Sequence, residues 1–271
     1  MTRVSFADAR TWQIFSLGLL LTYGVGMLGF DQTPANIALI VAAALATQWL
    51  CSRTVSGTRF DALSPLITAF SLCLLLRASS PAFLVLAAVL AIGSKFVLRL
   101  DGKHIFNPAN CAIAVLLLVT DAAWISPAQW GSRTWATFLF VCLACLVLSR
   151  AKRADIALAF LASYVAILLA RALYLGDPLA IPMKQMQSGA LLLFTFFMIT
   201  DPKTTPDRRT ARMLYAVLVA AAGAWLQFAY FMPQGLMYAL FFASPLVPLF
   251  DRLFPRDRPE VRFEWSRPVL N

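Results

Sequence analysis

Long runs of apolar residues constrain this chain more than any other feature of its sequence. A helix of about 20 apolar residues crosses the hydrocarbon core of a bilayer, and ten runs here reach or approach that length. Apolar residues make up 60% of the 271 positions and only 13% are charged, which is about half the share that is usual in soluble domains. The runs are continuous rather than alternating, so they favour helices over a membrane barrel. We therefore predict an all-α polytopic membrane protein and exclude a soluble enzyme or a disordered chain.

The ten predicted spans fall into two classes of length. Six are long enough to cross the bilayer alone: 12–30, 35–51, 81–98, 134–149, 155–174 and 213–231. Four are short: 62–76, 108–120, 188–200 and 236–250. The first run lacks the cleavage site of a signal peptide, so it is predicted to be a retained span.

The basic residues predict the orientation of these spans. Ten spans place both termini on one side, and 19 of the 23 lysines and arginines then fall on that side. Lysine and arginine collect on the cytoplasmic side of membrane proteins, so both termini are predicted to be cytoplasmic. The same rule accounts for the net charge of +10. We therefore expect a lipid bilayer around the chain and no nucleic-acid partner.

The short spans indicate an internal repeat. They are the third, fifth, eighth and tenth spans, which are the same two positions in each half of five. Ser64-Pro65 and Ser188-Gly189 lead similar apolar runs at a spacing of about 125 residues, and two further segments, 106–108 and 231–233, repeat at that spacing. Five spans are an odd number, so the second repeat would be inverted, and short segments at matching positions then indicate a central site. The alternative is that the short segments have merely been bounded wrongly.

This organisation divides the chain into five parts. They are a cytoplasmic N-terminus (1–11), a first five-helix repeat (12–120), an extracytoplasmic linker (121–133), a second five-helix repeat (134–250) and a cytoplasmic tail (251–271). The five cysteines lie in or beside apolar runs and are predicted to be buried small side chains rather than metal ligands. No metal site and no catalytic residue is predicted.

Two loops concentrate the polar residues, and both are predicted to be cytoplasmic. In the first, Lys103 and His104 precede Asn107-Pro108, where Asn107 is a natural N-cap of the fifth span. Free helix amides beside a lysine and a histidine suit an anion or an electron-rich ring. In the second loop, Asp201 ends a short apolar segment, where a carboxylate must be paired or solvated. The alternative is an interfacial carboxylate that only stops the helix.

These loops resemble the two sequence hallmarks of the NqrB/RnfD family of electron-transport membrane subunits. The segment Lys103-His104-Ile105-Phe106-Asn107-Pro108-Ala109 matches the first hallmark, and the segments 188–190 and 196–206, with Asp201-Pro202, match the second. The resemblance covers nearly all of the predicted helices and is strongest to short stand-alone members of the UnbU-like type. It implies a ten-helix inverted-repeat fold, similar to that of urea transporters, in a bacterial inner membrane.

The resemblance also implies a site and a function. We expect a membrane protein that binds a flavin (FMN or riboflavin) or a quinone without a covalent bond and exchanges electrons with partner proteins. The residues expected to hold the ring lie in the two loops: Lys103, His104, Phe106, Asn107, Asn110, Ser188, Gly189, Thr200, Asp201 and Thr204. We expect Asp201 to pair with Lys103 or with the backbone amides of the 107–110 turn, and Phe196 and Phe197 to contact the ring.

Family members with covalent FMN carry it on a threonine, and the loop 121–133 lacks that motif. No iron–sulfur pattern or dinucleotide fingerprint is present, so the chain is at most one subunit of a membrane oxidoreductase. Two other functions remain open, because a fold does not fix a function. One is a transporter or channel for a small solute, including a flavin-like one. The other is a scaffold for partner proteins.

Overall fold

The computed structural model describes residues 8–55, 60–100, 103–126, 130 and 154–254. The predicted span 134–149, the cysteines Cys142 and Cys145, and most of the predicted terminal segments lie outside the described residues. The described part of the chain is mainly helical, as the apolar runs predict.

Five helices form the first half of the chain: α1 (Ala9–Met27), α2 (Pro34–Thr54), α3 (Leu63–Leu75), α4 (Pro81–Val97) and α5 (Pro108–Val119). Three of them begin in the same way. Thr33, Ser80 and Asn107 are the N-caps of α2, α4 and α5, and each accepts a hydrogen bond from a backbone amide of the first turn. A proline follows each cap, at a position where no amide hydrogen is needed. These capped prolines fix where the helices start.

The second half contains six described helices: α6 (Ala154–Leu175), α7 (Ala180–Met186), α8 (Gly189–Leu193), α9 (Arg209–Ala229), α10 (Gly235–Ala243) and α11 (Val247–Leu253). The helix α8 continues as a π-helical turn, Phe194–Met198, and a 3₁₀ turn, Ser244–Leu246, joins α10 to α11. The prediction of a short tenth span is therefore wrong, because the helical path Gly235–Leu253 has 19 residues. Pro245 and Pro248 each stand at the start of a new turn, which lets the path continue.

Length and apolar composition make this a multi-pass membrane protein. Four of the described helices are long and apolar enough to cross a membrane: Pro34–Thr54, Ala154–Leu175, Arg209–Ala229 and Gly235–Leu253. Four more are apolar but shorter: Leu63–Leu75, Pro81–Val97, Pro108–Val119 and Gly189–Met198. The helix α4 was expected to be full length and is 17 residues long. The total of ten spans stays a prediction.

Two small antiparallel ribbons depart from the all-α expectation. In one, β1 (Leu76–Ala78) pairs with β4 (Ala123–Ile125), and in the other β2 (Arg99–Leu100) pairs with β3 (Lys103–His104). The first ribbon directly follows α3 and α5, whose ends leave backbone groups that need partners away from water. The side chain of Gln32 adds a further hydrogen bond, to the carbonyl of Leu76 at 3.1 Å.

Three helices of each half pack in the same sequence. In the first half α2 packs against α4 and α4 against α5, while in the second half α6 packs against α9 and α9 against α10. The helices α5 and α10 contact each other and join the halves. Gly223 and Gly235 allow the close approach of α9 and α10, because a Cβ on Gly235 would lie 2.9 Å from the carbonyl oxygen of Gly223.

Candidate functional site

Asn107 caps two helices that belong to different halves of the chain. Its Oδ1 accepts a hydrogen bond from the amide of Asn110 at 3.2 Å, which confirms the predicted N-cap of α5. Its Nδ2 donates to the carbonyl of Met198, the last residue of the π-helical turn, at 3.4 Å. A carbonyl at a helix end has no partner within its own helix. The Asn107 side chain therefore bonds to both helix ends, and the amide of Asp201 is a second donor to the Met198 carbonyl, at 3.3 Å.

Asp201 joins the same contact. Its Oδ2 lies 3.5 Å from Nδ2 of Asn107 and 3.5 Å from Nε2 of His104. Its Oδ1 accepts the amide of Lys203 at 3.0 Å. Burial would raise the pKa of Asp201, but the hydrogen bond and charge of His104 and the Lys203 amide outweigh it, so the pKa lies below its ordinary value. The structure thus brings the two polar loops together.

Of the two alternative partners expected for Asp201, Lys103 is wrong. Lys103 instead binds Asp207 at 2.6 Å and Asp251 at 3.3 Å. Lys103 and His104 are successive residues of β3, whose side chains point to opposite faces, so they cannot easily share one carboxylate. Asp251 also accepts the amide of Asp207 at 2.7 Å. Lys103 therefore ties the first half of the chain to the start of α9 and to α11.

A second ion pair extends this network to α6. Arg212 of α9 binds Asp155 of α6 at 2.6 Å, and its Nη1 donates to the backbone carbonyl of Asp207. We call this end of the bundle the charged mouth. Its residues are Lys103, His104, Asn107, Asp155, Asp201, Asp207, Arg212 and Asp251. Each of its four carboxylates has a cationic or hydrogen-bonding partner, as buried charges require.

The other predicted residues of these loops also have partners within the protein. The hydroxyl of Thr200 donates to the carbonyl of Phe196 at 2.7 Å, and that of Thr204 donates to the carbonyl of Asp201 at 3.4 Å. The ring of Phe106 stacks on Phe241 with a centroid distance of 4.9 Å. These groups stabilise the loops and the bundle, and a ligand at the mouth would have to displace those contacts.

Asn110 lies deeper and connects the first turns of α5 and α10. Its side chain is fully buried, and its Nδ2 donates to the carbonyl of Met237 at 3.2 Å. Its Oδ1 has no hydrogen-bond partner among the described residues. Asn110 therefore holds the two halves together through its bond to Met237.

Ser188 and Gly189 do not belong to the charged mouth, so their predicted place in that cluster is wrong. They begin the helical segment that Met198 ends, about 14 Å away at 1.5 Å per residue. A Cβ on Gly189 would lie 2.5 Å from the ring of Trp130. The glycine of the second hallmark is thus explained by packing. Phe196 and Phe197 likewise lie in the hydrophobic core.

A cavity of about 340 Å³ opens at this other end of the bundle. Its polar lining consists of Tyr164, Gln185, Ser188, Gln227 and Gln234, and Phe194, Phe228 and Phe231 are among its apolar residues. No charged residue is among the described residues that line it. Tyr164 donates to Oε1 of Gln227 at 2.6 Å, and Gln227 donates to the carbonyl of Pro233 at 3.3 Å. Volumes of this size are typical of small-molecule sites.

Sequence reasoning missed this cavity. Its glutamines are single polar residues near the ends of apolar helices, and they form no motif. The one available signal was Ser188, which the sequence singled out for its place in a hallmark and which does line the cavity.

Comparison with known proteins identifies a family for this chain. The family model described as the NQR2, RnfD, RnfE family matches residues 120–258. The chain belongs to this family. The matched stretch contains every residue that lines the cavity, together with Asp201, Asp207 and Asp251 of the charged mouth.

Curated relatives of this NQR2, RnfD, RnfE family member are similar over part of their length. Proteins named as the D component of an ion-translocating oxidoreductase complex are 36% identical over 107 residues in Erwinia tasmaniensis and 33% over 96 residues in Stutzerimonas stutzeri. The protein of the same name in Citrobacter koseri is 29% identical over 136 residues, which is 49% of this chain. The alignments span 30%, 26% and 36% of these three relatives' own lengths.

Proposed function

We propose that this chain is the membrane subunit of an electron-transport complex of the Rnf and Nqr type. Family membership and the names of the relatives support this role. Such a membrane protein works with partner proteins, and we propose redox proteins as its partners. The ten spans, the two inverted repeats and the cytoplasmic termini belong to the same proposal.

We further propose that a flavin or quinone ring binds in the cavity without a covalent bond. The cavity is the single observation that carries this step. Its glutamine amides offer both donors and acceptors, which suit the carbonyl and imide edge of such a ring, and its phenylalanines offer apolar faces. Cationic residues are missing from the described lining, so the fit is better for a neutral ring than for a phosphate. A bound ring of this kind supplies one- and two-electron redox chemistry.

The residues of the cavity then have distinct roles. Gln227 is oriented by Tyr164 and Pro233, so it can present a fixed amide to a ligand. Phe194 and Phe228 would exclude water from the ring. The charged mouth holds the halves in register, because its polar groups already bind one another.

A second candidate function is passage of a small neutral solute, and the same cavity favours it. In the electron-transport role the ring stays bound in the cavity. Passage of a solute would require that the cavity be reached from both sides of the membrane. A scaffold role would need no cavity.

Purification in mild detergent, followed by visible absorption and solvent extraction, tests the proposal. We expect a flavin that denaturation releases, or an extractable quinone, and loss of either in the Gln227→Leu variant. In-gel fluorescence of the denatured chain, expressed with its flavin transferase, should show no covalent flavin. A preparation that contains neither ring and does not bind added riboflavin or ubiquinone-1 would contradict the role. Uptake of a neutral solute by proteoliposomes would then support the second candidate.

A further inference from the structure

A buried lysine occupies a place in the first half that resembles the cavity of the second half. Lys95 lies two residues before the end of α4, and Gln227 lies two residues before the end of α9. The partner of each comes from the preceding long helix of its half, Gln48 of α2 for Lys95 and Tyr164 of α6 for Gln227. These are the helix pairs that pack in corresponding ways.

The serines of the internal repeat complete the correspondence. Ser64 is the second residue of α3, and Ser188 is the N-cap of α8. The Nζ of Lys95 donates to Ser64 at 2.9 Å and to Gln48 at 3.2 Å. In the second half Ser188 and Gln227 both line the cavity. Polar groups near the ends of these helices are therefore closed around a cation in the first half and border a cavity in the second.

The two places lie at opposite ends of the bundle. Lys95 precedes the β2–β3 ribbon that carries Lys103 of the charged mouth. Gln227 lies 15 residues beyond Arg212 of the mouth along α9, which is about 22 Å. An opening beside Lys95 would therefore lead inward from the mouth.

Lys95 is among the most buried charged residues of the described part of the chain. It is only 6% exposed, and no carboxylate of the described residues lies within 4.0 Å of its Nζ. The charged groups that act on it from a distance are Asp61, Arg99, Asp201 and Lys203. A buried ammonium with neutral partners is costly in a membrane segment and marks a functional position.

We propose that Lys95 is a tethered cation that closes the first-half counterpart of the cavity. Small molecules then reach the interior of the described part of the chain from the cavity end. This inference concerns access and does not depend on which molecule the cavity binds. It favours a retained ligand over a solute that passes through.

Two equally buried positions can report this difference. Thr68 lies one helical turn inward from Ser64, Leu191 lines the cavity, and each is 5% exposed. The variants Thr68→Cys and Leu191→Cys would be treated with N-ethylmaleimide in detergent, and the mass gain compared with that of the parent protein and its own cysteines. We expect Leu191→Cys to react at least tenfold faster than Thr68→Cys.

Exchange of the two polar residues provides the matched test. Lys95→Ala should speed the labelling of Thr68→Cys at least tenfold, and Gln227→Lys should slow the labelling of Leu191→Cys by a similar factor. Lys95→Gln replaces Lys95→Ala if the latter is not monodisperse. Equal labelling of the two cysteines, or labelling of Thr68→Cys that does not change when Lys95 is replaced, would overturn the proposal. Riboflavin binding can survive or fail independently, which separates this inference from the proposed function.

Discussion

The charged mouth and the cavity are both polar regions within an apolar bundle, but they differ in how their groups are used. At the mouth the Nζ of Lys103 lies 2.6 Å from Asp207 and 3.3 Å from Asp251, and Asp251 accepts the amide of Asp207 at 2.7 Å. At the cavity Gln227 and Ser188 face an open volume of about 340 Å³. Charges in a medium of low dielectric attract one another strongly and must be paired, whereas neutral amides can border an empty space at lower cost.

This difference distinguishes groups that stabilise the fold from groups that can contact a ligand. The mouth contains the conspicuous sequence motifs, yet their side chains hold the two halves together. The cavity contains scattered neutral residues, yet it has room for a ligand. Motifs with charged residues can thus mark the point where two halves of a chain are joined rather than the place where a small molecule binds. The following predictions test this division.

The largest effect is expected at Lys103. Lys103→Met leaves Asp207 and Asp251 close together without their cation, so it should lower the free energy of unfolding by about 3 kcal/mol. Thermal unfolding in detergent measures the loss. Lys184→Met, which removes an exposed lysine of α7, is the control and should leave the melting temperature nearly unchanged. Equal effects of the two variants would mean that the mouth does not join the halves.

A somewhat smaller loss is expected at Gly189, behind the cavity. Gly189→Ala places a methyl group 2.5 Å from the ring of Trp130, and such overpacking costs about 1–3 kcal/mol. Gly93→Ala in α4 is the matched control, since nothing lies within 4 Å of its Cβ. That variant should be neutral or slightly stabilising because alanine favours a helix. A stable Gly189→Ala protein would show that the packing against Trp130 is unimportant.

The contact between the two hallmark loops should appear as an energetic coupling. Asn107→Ala and Asp201→Ala remove partners that lie 3.5 Å apart, so the double variant should lose about 0.5–1 kcal/mol less than the sum of the single losses. Chemical or thermal unfolding of the four proteins gives this value. Strict additivity would mean that the two loops do not stabilise each other.

The smallest effect concerns pH. The pKa of Asp201 is lowered in the folded protein, so its stabilising contribution is complete above the ordinary carboxylate pKa of about 4 and is lost as the pH falls through the lowered value. Melting temperatures between about pH 6 and pH 3 should therefore fall less steeply for Asp201→Asn than for the parent. His104→Asn removes the first of the lowering contacts and should move the loss to higher pH. Identical profiles for all three proteins would contradict this account.

Much of the fold is predictable from the sequence because burial in lipid imposes long apolar runs. The N-cap at Asn107 is predictable because an asparagine before a proline leaves few other conformations. The β1–β4 ribbon is not, since three-residue strands carry no periodic signal. The pair of Lys103 with Asp251 joins residues 148 positions apart, and nothing local selects Asp251 over Asp201.

The cavity was beyond prediction for a related reason. Its walls come from β4, from five helices and from the turns between them, and each contributes a few ordinary residues such as Ile125, Gln185 or Gln234. Only packing brings them together. The similar places of Ser64 and Ser188 were visible in the sequence. Only the structure shows that Ser64 binds Lys95, whereas Ser188 lines the cavity with Gln227.

Titration of the purified protein with riboflavin, followed by quenching of its fluorescence, tests most directly whether the cavity rather than the mouth is the binding place. We expect Gln227→Leu to weaken binding about three- to tenfold, since one lost buried hydrogen bond is worth about 0.7–1.4 kcal/mol. We expect a change of less than twofold for Asp201→Asn, whose side chain lies at the other end. The reverse pattern, or equal binding by all three proteins, would contradict binding in the cavity.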